Sequence, residues 1–224
     1  MKGNMGRFIA IVGIGLALMM SLRGAFADDS NDFKKLSADW WQWALSIPTS
    51  VNPLTDTTGE HCMVGQRGEK WFLAGFFGTG SAVRTCSVPA STQLYFPVVN
   101  SVAFNTPGLC GSPAETVEQL RKDAAAFIDG VTDVSAELDG AAIKNVDRSQ
   151  SEVFPLVLPE DNVFDSASCD VPGGIYSPAV DDGYFVLLKP LTPGSHTLHF
   201  QASNGGSVVQ DVTYNLLVVP AILK

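Results

Sequence analysis

The stretch from residue 61 to residue 100 constrains the fold most, because it holds four short apolar runs separated by glycine or proline turns. Cys62 lies in the first run and Cys86 in the third. Short apolar runs bounded by turn formers are typical of antiparallel strands. Pro97 lies inside the fourth run and predicts an edge strand or a bulge, because proline cannot donate to a β-ladder. The runs predict strands near Cys62–Gln66, Trp71–Phe77, Ala82–Val88 and Gln93–Val99.

The first residues have the pattern of an export signal. Two cations precede the apolar run Phe8–Met20, and Ala25-Phe26-Ala27 provides a small-x-small cleavage site. This pattern predicts a signal peptide over residues 1–27 and one mature domain over residues 28–224. An uncleaved membrane anchor is the alternative, but the run is shorter than the roughly 20 apolar residues that a spanning helix needs. We therefore expect an exported protein, periplasmic or extracellular, with no stable membrane span after cleavage.

The charge balance excludes several kinds of partner. The chain has 14 basic and 23 acidic residues, a formal net charge of −9, and the leader removes only cations. Nucleic acid binding needs a basic surface, and anionic lipid repels an acidic protein. The sequence therefore predicts no nucleic acid partner, and its length allows one substantial core.

All four cysteines lie in the mature chain, at positions 62, 86, 110 and 169. An even number in an oxidising compartment predicts disulfides, with three pairings open. We favour Cys62–Cys86, which flanks neighbouring strands, and Cys110–Cys169, which ties two long loops. A zinc site is the rival interpretation, although no C-x-x-C spacing is present.

Two helices are predicted, at about 32–47 and 113–129. The first has apolar residues at helical spacing, and this phase leaves Trp41 outside the buried stripe. The second follows Ser112-Pro113-Ala114-Glu115, which has the form of a capping box. The stripe of the first helix consists of Phe33, Leu36, Trp40, Trp43 and Ile47, and that of the second of Val117, Leu120, Ala124, Phe127 and Ile128.

The rest of the chain predicts further strands. Asp139-Gly140 between alternating runs indicates a hairpin, and residues 159–182 form a long loop, a candidate rim of a site. Many short strands with turn signals are typical of a mainly β, antiparallel sandwich or jelly roll, here a single domain with two accessory helices. The later strands are expected at Val153–Leu158, Tyr184–Lys189, Ser195–Ala202 and Ser207–Val219.

A set of short motifs covers nearly the whole mature chain and resembles a family of uncharacterised secreted bacterial proteins. The resemblance implies export and a single β-rich domain, and it implies no catalytic residue. It rests on Trp41-x-Trp43-Ala44, Thr58-Gly59, Cys62, Trp71-Phe72-Leu73-Ala74-Gly75, Arg84-x-Cys86-x-Val88-Pro89-Ala90, Phe96-Pro97-Val98-Val99-Asn100, Leu138-Asp139-Gly140, Leu158-Pro159-x-x-Asn162, Asp182-Gly183-Tyr184 and Pro190-Leu191-x-Pro193-Gly194-x-His196-Thr197.

Metal binding has two candidate sources. His196 and His199 lie three apart on a predicted strand, so they face opposite sides, His196 inward and His199 to water. The acidic loops at residues 56–60 and 160–165 offer oxygen ligands that suit calcium, without the spacing of a calcium loop. The sequence therefore predicts no cofactor, with calcium as an open alternative.

Catalysis has no short signature in this chain. There is no nucleophile elbow and no zinc protease motif. A secreted glycosidase-like hydrolase stays open as an alternative, because such enzymes need only two facing carboxylates. The acids available for it are Glu60, Glu69, Asp161 and Asp182.

The function predicted from these patterns is binding, with a glycan or another envelope protein as the partner. Exposed aromatic residues at a sheet face or loop rim would make the contact. A purely structural envelope protein is the second alternative. The candidate ligand-binding residues are Trp41, Trp71, Tyr95 and Tyr176, with His61, Glu60 and Asp161 as polar neighbours.

Overall fold

The computed structural model describes residues 29–164 and 169–220. The predicted signal peptide therefore lies outside the described residues. Within the described part of the chain, neither helix is long and apolar enough to cross a membrane.

Two helices and ten strands make up the described chain, with short 3-10 helices at Thr49–Val51 and Leu109–Gly111. The helices are α1 (Asp29–Leu45) and α2 (Val117–Ile128). The strands are β1 (Lys70–Phe72), β2 (Gly80–Pro89), β3 (Gln93–Phe104), β4 (Val131–Leu138), β5 (Ala141–Ala142), β6 (Asp147–Gln150), β7 (Phe154–Leu158), β8 (Gly174–Leu188), β9 (Gly194–Asn204) and β10 (Ser207–Val219).

The strands form two five-stranded sheets, which confirms the mainly β sandwich. The first sheet has the order β1-β3-β8-β6, with β7 also paired to β8, and the second has the order β2-β10-β9-β4-β5. Most neighbours are antiparallel, but β1 pairs parallel to β3 and β2 pairs parallel to β10. Residues 73–79 connect β1 to β2 and thus carry the chain from the edge of one sheet to the edge of the other. We call this segment the crossing.

The first sheet has a hydrophobic cluster on each of its faces. Phe96 and Val186 meet Phe200 and Tyr214 of the second sheet in the sandwich core. On the opposite face, Tyr95 and Phe185 pack with α1. Because both faces are covered, residues 94–99 of β3 and residues 179–183 of β8 are buried.

Helix α1 begins at Asp29 rather than near residue 32, and it is buried around more of its circumference than an amphipathic stripe predicts. Trp41 is only 5% exposed, so the expectation that it lies outside the buried stripe is wrong. Its indole meets Trp40 edge to face at 4.9 Å, and its Nε1 donates to the carboxylate of Asp181 at 3.0 Å. The hydrogen bond to Asp181 therefore allows Trp41 to be buried, although helical periodicity places Trp41 outside the apolar stripe.

Helix α2 begins one turn later than expected. Its capping box is formed by Thr116 and Gln119, whose side chains bond each other's backbone N–H groups. Ser112 instead lies at the end of the Leu109–Gly111 turn, where its N–H donates to the carbonyl of Leu109. Residues 112–115 and residues 116–119 both fit the capping-box motif. The helix starts at the second, because Ser112 belongs to the turn that the Cys110–Cys169 disulfide holds.

One predicted strand is absent, one predicted strand is shorter than expected, and one predicted loop ends earlier than expected. Residues 62–66 form turns, and the strand expected over Trp71–Phe77 ends at Phe72. The loop expected over residues 159–182 ends at Gly173, because β8 already begins at Gly174. The remaining predicted strands match observed ones, including the hairpin at Asp139-Gly140 between β4 and β5.

Both favoured disulfides are confirmed. Cys62 is bonded to Cys86, and Cys110 to Cys169. The first ties the turn after residue 59 to β2, and the second ties the loop before α2 to the loop before β8. Structural disulfides persist in oxidising compartments, so the pair indicates an oxidising environment outside the cytosol.

Candidate functional site

The site begins where the chain leaves the first sheet. Leu73 N–H still donates to the carbonyl of Tyr95 on β3 at 3.0 Å. The next residue, Ala74, is bonded to the second sheet instead: its N–H donates to the Tyr214 hydroxyl, and its carbonyl accepts from Tyr214 and from Arg84 Nη1. These bonds draw the chain off β3, so β1 ends after three residues.

A buried arginine holds this crossing. Arg84 is 1% exposed and lies in β2, where its Nε donates to the carbonyl of Asp56 at 2.7 Å. Its Nη1 donates to Ala74 at 2.6 Å and to the Tyr214 hydroxyl at 2.8 Å. Arg84 therefore joins the loop at Asp56, the crossing and β10 through one rigid guanidinium.

Gln210 fixes the second half of the crossing. Its Oε1 accepts from Phe76 N–H at 2.8 Å, and its Nε2 donates to the carbonyls of Phe76 and Gly78. Val209, just before it, is the extra residue of a bulge in β10. The bulge turns the side chain of Gln210 toward the crossing. The backbone of Gln210 lies opposite Gly80, the first residue of β2.

The crossing leaves one edge of β3 open. Among the described residues, β1 pairs only with positions 93–95 of β3, whereas β8 pairs with it as far as Phe104. A bulge at Val98 shifts the register with β8, which confirms the bulge predicted from Pro97. Since successive peptide groups of a strand point to opposite sides, Asn100 and Val102 direct their N–H and C=O groups to the open edge. Asn105 agrees with this phase, because its N–H donates to Pro178 at the end of β8.

A cavity of about 320 Å³ lies against this open edge. Six consecutive residues of β3 form one wall, and aromatic side chains of α1, α2 and the crossing form much of the rest. None of the described lining residues carries a charge. The lining consists of Trp40, Trp41, Leu54, Gly75, Phe76, Phe77, Gly78, Thr79, Pro97, Val98, Val99, Asn100, Ser101, Val102, Phe127, Phe164, Val209 and Gln210.

Asn100 is the polar residue that the cavity wall leaves unsatisfied. Its Nδ2 is buried and has no hydrogen-bond partner. Gly183 on β8 lies directly opposite, and a Cβ there would come within 2.5 Å of the Asn100 Cβ. The glycine therefore lets β8 approach β3 closely at the position where the free amide stands.

A buried carboxylate lies behind Trp41. Asp181 accepts from Trp41 Nε1 at 3.0 Å and from Ser151 N–H at 3.1 Å. Burial raises the pKa of Asp181 to about 7, although hydrogen bonds from Trp41, Ser37 and Ser151 act in the opposite direction. Asp181 does not itself line the cavity, because the indole of Trp41 lies between.

The neighbouring carboxylate has a full set of partners. Asp182 accepts from Nε and Nη2 of Arg148, each at 2.9 Å, and from Gln150 at 3.0 Å. Arg148 also donates to Asp129 at the end of α2 at 2.6 Å. Arg148 therefore ties its own strand β6 to β8 through Asp182 and to the end of α2 through Asp129.

Three of the four aromatic candidates from the sequence are buried rather than exposed. Trp41, Trp71 and Tyr95 are 5%, 8% and 0% exposed. Tyr176 is half-buried, and its hydroxyl donates to the carbonyl of Pro172 at 2.7 Å. Only Trp41 among them lines the cavity. The expectation that Trp41, Trp71 and Tyr95 are exposed at a rim is wrong, because Trp41 and Tyr95 pack between α1 and the first sheet and Trp71 packs in the core between the two sheets.

The polar candidates lie in loops away from the cavity. Asp56 accepts from the N–H groups of Thr58, Gly59 and His61, and these bonds lower its pKa although its burial acts to raise it. Glu60 is exposed in the same turn. Asp161 accepts from Ser50 N–H at 3.2 Å. Asp56 thus organises its own loop, whereas Asp161 ties its loop to the Thr49–Val51 turn. None of Glu60, His61 and Asp161 lines the cavity.

The two histidines on β9 have separate partners. Nδ1 of His196 lies 2.7 Å from Asp139, and its Nε2 lies 2.9 Å from the carbonyl of Thr192. His199 pairs with Asp211 at 2.9 Å. In the described part of the chain, no three residues of types His, Cys, Asp or Glu are grouped to hold a metal ion.

The site residues predicted from the sequence do not include Arg84, Asn100 or Gln210. Arg84 had a signal, because it shares the strand phase of Cys86 and Val88, which predicts that it faces the core. Asn100 and Gln210 follow bulges, and a bulge changes which face each later residue occupies. Their roles therefore depend on pairings that local patterns do not reveal.

No family model, no curated protein and no solved structure matches this chain.

Proposed function

We propose that this is an exported binding protein that holds an uncharged, mainly apolar ligand in the cavity beside the open edge of β3. The observation that carries the proposal is the coincidence of this edge with an aromatic-walled cavity of about 320 Å³. Such a volume lies at the lower end of the range of about 300–1,000 Å³ that is typical of ligand sites. The uncharged lining favours a neutral ligand.

The polar groups of the lining favour a protein segment over a glycan. Gln210 is already engaged with the crossing, and Trp41 with Asp181. A sugar needs a hydrogen bond for most of its hydroxyls, since an unpaired polar group costs about 1–3 kcal/mol on burial. Beyond Asn100, the lining residues with a side-chain hydroxyl are Thr79 and Ser101, so the cavity offers fewer side-chain partners than the hydroxyls of a sugar ring need.

The hydrolase alternative has less support. A glycosidase needs two carboxylates facing one cleft, and no acid is among the described residues that line the cavity. Asp182 forms an ion pair with Arg148, and the indole of Trp41 separates Asp181 from the cavity. Binding is therefore the function that these contacts support best.

A fluorescent probe tests the proposal. N-phenyl-1-naphthylamine is apolar and uncharged, and its emission rises in a dry site. We expect saturable binding to the oxidised protein, weakened roughly tenfold or more by Val102→Trp, which fills the cavity. Val157→Trp is the matched control, because Val157 is 52% exposed on β7 of the same sheet.

Urea unfolding midpoints of both variants show whether each is folded. Equal probe affinity in the wild type and in folded Val102→Trp, or no binding to the wild type, would contradict the proposed site.

A further inference from the structure

We infer that the ligand is an extended, uncharged peptide segment of another protein, which adds as a strand to the open edge of β3. This inference rests on the proposed function, because it names the occupant of the same cavity. Strand addition uses main-chain hydrogen bonds for affinity and side-chain pockets for selectivity.

The free backbone groups of β3 repeat at the spacing of an extended chain. Asn100 and Val102 each direct one N–H and one C=O toward the cavity, about 7 Å apart along the strand. An extended peptide has the same alternation of donors and acceptors at the same repeat. Neither a lipid chain nor a sugar ring offers this pattern.

The side-chain amide of Asn100 is unsatisfied at the same edge. Its Nδ2 is buried beside the edge without an acceptor. A carbonyl of an added strand would supply one, and an unpaired buried donor is unfavourable in its absence. The free protein therefore has a polar group whose hydrogen bonding an incoming main chain completes.

The cavity has apolar walls on both faces of the open edge. Trp41 borders the cavity from α1 on one face, and Val209 borders it from the second sheet on the other. Side chains of an added strand alternate between these faces, so both alternating sets meet apolar walls. The described lining carries no charge while the chain carries −9 overall, which disfavours acidic segments and leaves a neutral apolar segment as the fitting partner.

The test uses a neutral blocked hexapeptide of valine, phenylalanine and threonine and two N-methylated twins. Each twin carries methyl groups on alternate peptide nitrogens, so only one twin blocks the nitrogens that face β3. We expect the parent to shift the amide resonances of Asn100 and Val102 in an NMR titration. One twin should bind roughly tenfold or more weakly than the other, because hydrogen bonds are lost from one edge only.

A backbone variant gives the same information from the protein side. Val102→Pro removes an N–H that faces the open edge, where proline is tolerated, whereas Val102→Ala keeps that N–H. We expect the parent peptide to bind folded Val102→Pro roughly tenfold or more weakly than Val102→Ala.

The outcomes separate this inference from the proposed function. Equal binding of both twins, or no peptide binding by a protein that still binds the naphthylamine probe, would overturn strand addition and leave the cavity as a ligand site. Failure of peptide and probe together would overturn both. A dimer of the wild type in sedimentation that Val102→Pro dissociates would mean that a second copy of this chain occupies the edge, and it would also overturn the inference.

Discussion

Replacement of Arg84 tests how the site is built, because this side chain holds the crossing that opens the edge of β3. Arg84→Met keeps a similar length and removes the charge and the donors. The carbonyl of Asp56 then loses its bond from Nε, whereas Ala74 keeps its bond from the Tyr214 hydroxyl at 2.9 Å. Lysine is the informative comparison, because it keeps the charge but lacks the fork of the guanidinium.

The magnitude follows from these contacts. The bond from the charged guanidinium to the partly buried carbonyl of Asp56 is worth about 1.5–3 kcal/mol, and loss of the remaining bonds to this charged donor adds a comparable amount. Removal of the buried positive charge offsets part of this loss of stability, because burying a charge without a paired carboxylate is unfavourable. No carboxylate is bonded to Arg84 in the described chain, and its Nη2 group has no partner. We expect Arg84→Met to lower the free energy of unfolding by about 3 kcal/mol. Arg84→Lys should lower it by at least as much, because a strongly hydrated ammonium stays buried.

Urea unfolding of the oxidised protein measures both values, with fluorescence and circular dichroism as coincident probes of a two-state transition. The refuting result is an Arg84→Lys variant within about 1 kcal/mol of the wild type. A single buried positive charge would then be sufficient, and the bonded fork would not be what fixes the crossing.

Three further predictions concern Asp181, Gly183 and the first disulfide. Burial raises the pKa of Asp181 from 3.8 to about 7, so its protonation favours the native state fully below about pH 4, and this contribution is lost as the pH rises to 7. Relative to Asp181→Asn, the wild type should therefore gain on the order of 4 kcal/mol between about pH 8 and pH 4 in urea titrations, and a constant difference would contradict this. Gly183→Ala should cost about 1–3 kcal/mol, since its Cβ would lie 2.8 Å from the carbonyl oxygen of Val99, whereas Gly174→Ala on the same strand meets nothing closer than 3.8 Å and should be neutral by thermal unfolding. Replacing Cys62 and Cys86 by alanine should lower the free energy of unfolding by about 3 kcal/mol, because it opens a loop of 24 residues; no loss in urea unfolding would contradict that role.

The sequence was sufficient for features that depend on local pattern. Alternation and turn residues predicted the β-rich body, and helical spacing predicted α1. Cysteine placement predicted both disulfides. Pro97 predicted an edge strand or a bulge because its missing N–H is a local property, and the strand has a bulge at Val98.

The features that escaped prediction depend on long-range pairing. The parallel pairs of β1 with β3 and of β2 with β10 join segments that no turn connects. Trp41 is buried because Asp181, 140 positions away, accepts from its indole. The open edge exists because Ala74 bonds to Tyr214 rather than to β3, and that competition between two sheets has no local signal.

Amide hydrogen exchange along β3 shows whether the edge of this strand is open in the free protein. Strand alternation assigns Val99 and Ser101 to bonds with β8, whereas Asn100 and Val102 face the cavity. We expect alternating protection in the free protein, with slow exchange at Val99 and Ser101 and fast exchange at Asn100 and Val102. Equal, strong protection of all four amides would contradict it, because the edge would then already be paired.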